Sequence, residues 1–86
     1  MPQQTAGFDL DAIISRIEEV DRDNSVAEID LPEKEWRRLA AEGMASLKAR
    51  LSKRAADRLM LMDGLVEGDV TRQRYYLLVC HYGRCH

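Results

Sequence analysis

Tyr75-Tyr76-Leu77-Leu78-Val79-Cys80 is the longest unbroken apolar run in the chain, and the fold turns on whether it is helix or strand. A short run without polar interruption fits a helical and an extended period equally, so pattern alone does not separate them. Val79 is its one β-branched residue, and branching at Cβ is what a pleated sheet favours. That scarcity tips the reading to helix, with Asp69 or Thr71 as its cap after a break at Gly68-Asp69. Read as a strand, the run has one evident partner, the alternation Ala27-Glu28-Ile29-Asp30-Leu31.

Upstream, the apolar positions Trp36, Ala40, Met44, Leu47, Leu51, Ala55, Leu59 and Met62 recur every three or four residues. The step of about 3.7 residues is helical but not that of a heptad coiled coil. Unbroken from Leu31 to Met62, such a helix would be about 48 Å long at ~1.5 Å per residue. A compact monomer of this length has a radius of gyration of about 12 Å. Either Ser52 caps a new helix or the protein is an elongated oligomer, and the oligomer is favoured. Gly43, with Ala40, Ala41 and Ala45 beside it, leaves a surface small enough for close approach of another helix. Asp63-Gly64 is expected to end the long helix.

At the other end, Phe8, Leu10, Ile13, Ile14, Ile17 and Val20 make one apolar stripe. Asp9 suits the N-cap, and Phe8 with Ile13 suits a hydrophobic staple. Acids at Glu18, Glu19, Asp21 and Asp23 oppose the helix dipole, so the helix should fray near Val20 and Asp21–Ser25 should be loop. Asp30, Pro32 and Glu33 announce the next helix. The expected fold is all-α: a three- or four-helix bundle, or a helical hairpin with one long central helix, open to dimerisation. Residues 1–7 read as a flexible leader, 8–80 as a single helical domain and 81–86 as a Cys/His tail.

The composition allows one small domain: 86 residues, 45% hydrophobic and 33% charged, with a formal net charge of −2. No apolar stretch approaches the ~20 residues that span a bilayer, so no membrane association is expected. Met1 to Thr5 shows no basic region followed by an apolar one, so the expectation is a cytoplasmic protein without a secretory signal. Residues 1–30 hold eight acids and two bases, a net −6, whereas residues 31–60 hold eight bases and four acids, a net +4. Such polarity means either two elements that attract each other or an anionic partner for the stretch Lys48–Arg58.

Catalytic machinery is not visible. No His outside the tail could activate a serine, and Gly43, Gly64 and Gly68 are isolated, so no phosphate cradle forms. No cofactor is expected, and the protein reads as a non-enzyme. Every Cys and His lies in the last seven residues, where Cys80, His81, Cys85 and His86 are of zinc-ligating type. The preferred reading is an exposed tail with Cys80 partly buried; a metal site there, shared across a dimer, is one alternative, and a local Cys80–Cys85 disulfide is another.

Leu65-Val66-Glu67-Gly68-Asp69-Val70-Thr71-Arg72-Gln73-Arg74-Tyr75-Tyr76 resembles the turn and recognition helix of helix-turn-helix regulators. That resemblance implies a small DNA-binding regulator in which Thr71 caps the helix and Arg72, Gln73 and Arg74 face the duplex. Small size, acidic pI and lack of catalytic groups are also similar to those of adaptor and inhibitor proteins, including phage-encoded inhibitors of bacterial defence such as anti-CRISPR proteins. The preferred expectation is a regulatory or inhibitor protein that binds another protein, with homo-oligomerisation through the same surface. Its anchors would be Trp36, Leu39, Met44 and Leu47, rimmed by Arg37, Arg50 and Arg54.

Overall fold

The computed structural model describes residues 9–66 and 68–83. In chain order the elements are α1 (Leu10–Arg22), β1 (Ala27–Asp30), α2 (Glu33–Arg38), a π-helical turn (Leu39–Gly43), α3 (Met44–Ala49), α4 (Lys53–Asp57), β2 (Leu59–Val66) and β3 (Asp69–Val79). The strands form one antiparallel sheet in the order β1-β3-β2. The all-α expectation is therefore wrong in both its bundle and its hairpin form. The fold is mixed α/β.

Tyr76 to Val79 is strand because it is paired on both sides. Asp30 to Ala27 face it across one edge, and Met62 to Leu59 face it across the other. A ladder on each side satisfies backbone groups that β-propensity, worth about 1 kcal/mol at most, could not outweigh. Val66 and Asp69 close the β2–β3 hairpin around Gly68, whose φ of +83° is one that glycine adopts without strain. Gly64, expected to end a helix, lies instead within β2.

The long helix ends at Ala49, not Met62. Ser52 begins α4, its Oγ accepting the Ala55 N–H at 3.2 Å. Glu18 of α1 fixes that corner by accepting Ser52 N–H at 2.8 Å. The break at Ser52 thus replaces the elongated helix, and the radius of gyration is 13.4 Å. Leu59 and Met62 belonged to the helical stripe only by coincidence of spacing, because Leu59-Met60-Leu61-Met62 is apolar throughout and satisfies any period. Helix α1 begins as expected, with Asp9 Oδ1 accepting Asp11 N–H at 3.1 Å and Ala12 N–H at 3.3 Å. It runs two residues past Val20, to Arg22.

The helices lie on one face of the sheet. Ala27, Ile29, Leu59, Leu61, Leu77 and Val79 all pack into the core with Ile17, Val20, Leu39, Leu47 and Ala55. The alternate positions Glu28, Asp30, Met60, Met62, Tyr76 and Leu78 face away from it, as the two-residue period of a strand requires. None of the helices is long and apolar enough to cross a membrane, among the described residues.

An ion pair joins the two layers. Arg58, fully buried, donates from Nη1 to Asp21 Oδ1 at 2.8 Å, and Asp21 is 9% exposed. Its Nε donates to the Cys80 carbonyl at 2.8 Å and its Nη2 to the Ser25 carbonyl. Arg54 reaches the same carboxylate at 3.2 Å and donates to Asn24 Oδ1 at 2.7 Å. This is why Asp21 does not fray into solvent: at the carboxyl end of α1 it meets two guanidinium groups.

Candidate functional site

The π-helical turn sits inside one continuous helical stretch, since Arg38, Leu39, Gly43 and Met44 are all right-handed helical. An added residue per turn displaces the local side chains, and such turns are frequent at functional sites. Here it borders a cleft of about 470 Å³. Leu10 of α1 with Leu39 and Leu47 makes the apolar floor, while Glu35, Arg38, Ser46 and Arg50 stand around it. Gly43 completes the lining. A Cβ at Gly43 would lie 2.9 Å from Leu39 Cδ2, so a side chain there would force Leu39 to move.

The rim is charged. Arg38 Nη1 lies 3.5 Å from Glu35 Oε1, and Arg50 Nη2 lies 2.5 Å from Asp11 Oδ1. Both pairs are partly exposed, where an ion pair contributes about 0–1 kcal/mol and is readily exchanged. Each guanidinium presents five N–H donors, so both retain capacity for an acceptor brought from outside. Apolar floor and donor-rich mouth together suit an apolar group carried beside an acid. Among the described residues, the cleft lining includes no His or Cys.

Three of the expected partner residues meet here: Leu39, Leu47 and Arg50. The other four go elsewhere. Trp36 docks its helix onto the sheet, Nε1 donating to the Met62 carbonyl at 2.9 Å and the ring lying 5.1 Å from that of Tyr75. Arg37 donates from Nε to Glu33 Oε2 at 2.8 Å, and that hydrogen bond raises its pKa above the ordinary arginine value. Met44 packs half-buried against the core, and Arg54 belongs to the Asp21 network. Sequence reasoning missed Leu10, Glu35, Arg38 and Ser46. Gly43 interrupting an apolar stripe was the available signal, but it did not reveal the extra residue in the turn.

Thr71, Arg72, Gln73 and Arg74 lie on β3, so the segment likened to a recognition helix is extended. Arg74 clamps β1 to β3 through Glu28 at 2.7 Å and Asp30 at 2.8 Å. The hydrogen bond to Glu28, then that to Asp30, raises its pKa above the ordinary arginine value. Gln73 reaches Asp63 Oδ2 at 3.4 Å. Cys80 is disulfide-bonded, with Sγ 3.1 Å from the Arg58 carbonyl oxygen, and His81 is exposed. Cys85 and His86, like the expected leader at 1–7, lie outside the described residues. Among those residues, no group of three or more His, Cys, Asp or Glu is placed to hold a metal ion.

Comparison with known proteins finds no matching family, no curated protein similar in sequence and no solved structure similar in fold.

Proposed function

We propose that this chain is a non-enzymatic regulatory or inhibitor protein that acts by seating an apolar, acid-flanked segment of another protein in the cleft beside the π-helical turn. The observation that carries this reading is the cleft itself: Leu10, Leu39 and Leu47 at its base, with Arg38 and Arg50 at its mouth. Anchoring one apolar group in a pocket and surrounding it with polar contacts is how interfaces concentrate binding energy. Guanidinium groups at the mouth favour a carboxylate beside that anchor, which orients the partner and speeds encounter more than it adds affinity.

The test is chemical cross-linking in the native host followed by capture, using the unaltered chain beside two variants. Ser46→Trp fills the mouth from an exposed position, and Arg38→Glu reverses one rim charge. The reading requires a specific partner whose capture falls at least tenfold in both variants while their circular dichroism and unfolding midpoints stay unchanged. Equal capture by all three proteins would refute it.

A further inference from the structure

The two edges of the sheet differ in a way that concerns assembly. The β1 edge is short and guarded: Ala27–Asp30 spans four residues, carries Glu28 and Asp30, and runs into Pro32. Short length, charge and proline are the usual means by which an edge avoids pairing with another chain. The β2 edge has none of these along most of its length. Leu59–Val66 spans eight residues, reads Leu-Met-Leu-Met-Asp-Gly-Leu-Val, and has one charge, Asp63.

The hydrogen bonds show which backbone groups that edge presents. Leu31 N–H donates to the Tyr75 carbonyl on the β1 side, at 2.9 Å, and Cys80 N–H donates to the Arg58 carbonyl on the β2 side, at 2.8 Å. Successive residues of a strand direct their backbone groups to opposite sides. Tyr76 and Leu78 therefore bond their partners Met62 and Met60, which turn towards β3. Leu59, Leu61, Asp63 and Leu65 turn outward, and none of them makes a backbone bond outside the sheet among the described residues.

We propose that two copies of this chain join through β2, antiparallel about a two-fold axis at Met62, to form one continuous six-stranded sheet from their three-stranded halves. Self-pairing across a two-fold axis uses the same edge on both copies. Because the β1 edge is guarded, assembly closes at a dimer and does not extend into a fibre.

Charge and overlap select the register. With Met62 opposite the partner's Met62, the outward residues match in full: Leu61 pairs with the partner's Asp63, and Leu59 with the partner's Leu65. Leu65, 56% exposed in the single chain, thereby gains an apolar neighbour. Centring the pair one residue later, on Asp63, would set two carboxylates opposite each other, which is destabilising, and would lose overlap at both ends. Centring on Leu61 would leave Leu65 unpaired. The dimer face is separate from the cleft, so it stands or falls independently of the function proposed above.

Mass in solution from sedimentation equilibrium, over a micromolar to millimolar series, tests the proposal. The unaltered chain should reach twice its 9.9 kDa chain mass. Asp63→Pro removes an outward N–H without touching the β2–β3 ladder, a place where an edge strand tolerates proline. Met62→Lys places like charges across the axis from a position outside the core. Both variants should sediment at 9.9 kDa with unchanged circular dichroism. A single-chain mass for the unaltered protein at every concentration would overturn the proposal. So would a dimer that survives both substitutions, since its interface would lie elsewhere. If either variant loses its circular dichroism, Met62→Cys replaces it: a cross-link between copies at that position supports the register, and failure to cross-link overturns it.

Discussion

Replacing Arg58 with Met removes the guanidinium and keeps most of the unbranched stem. Arg58 is fully buried, and its side chain holds Asp21, the Cys80 carbonyl and the Ser25 carbonyl. The substitution takes a donor from two carbonyls and, among the described residues, leaves Asp21 with only Arg54, half-exposed, as its cation. Breaking a buried pair by removing one partner costs about 3–5 kcal/mol, because the other charge stays behind. A chain of this length has about 4–13 kcal/mol of stability to lose, at ~0.05–0.15 kcal/mol per residue. The midpoint of thermal unfolding should fall by at least about 12 °C, at roughly 4–8 °C per kcal/mol. Thermal and urea unfolding followed by Trp36 fluorescence measure the midpoint shift and the loss in stability, since Trp36 bridges helix and sheet. Removing both charges, as Asp21→Leu with Arg58→Met, should recover part of the loss, because no charge is then left buried. Arg58→Lys should recover little, since an ammonium lacks the planar fork that reaches three acceptors. A loss below about 1 kcal/mol, the size expected of an exposed pair, would refute the account of Arg58 as the joint between layers.

Ser52→Ala deletes the N-cap of α4 and the hydroxyl bond to Glu18 while keeping the backbone N–H bond to it, and should cost about 1–2 kcal/mol by urea unfolding. Gly64 has open space around its Cβ position and an ordinary φ, so Gly64→Ala should stabilise β2 by about 0.5–1 kcal/mol. Gly68→Ala should do the opposite, because Gly68 holds a φ of +83°. Arg74→Gln should free β1 from β3 and speed amide hydrogen exchange at Ile29, an effect that shrinks in high salt as the ion pairs to Glu28 and Asp30 are screened. The raised pKa values of Arg37 and Arg74 place loss of their interactions above the ordinary arginine range, so their deprotonation adds no pH dependence near neutrality.

Local chemistry wrote several elements into the sequence by itself. Asp9 and the Leu10-to-Val20 stripe determined where α1 begins and which face it buries. The alternation at Ala27–Asp30 and the capping residue Ser52 are visible as alternatives, a strand and a helix start, but local pattern does not choose them over an all-α chain with one long helix. Gly43 marked the helix beside the cleft. The tertiary structure decided the rest. Tyr76–Val79 became strand through partners in β1 and β2 that lie far along the chain, which no local window contains. Leu59-Met60-Leu61-Met62 fits any period, so only the core, accepting Leu59 and Leu61 and excluding the two methionines, selected the extended form. Asp21 reads as part of a loop, and Arg58 as part of a basic stretch drawn to the acidic segment or to an anionic partner. Their burial follows from the fold bringing together a carboxylate and a guanidinium 37 positions apart in sequence, and each compensates for the other's desolvation only once the fold has brought them together.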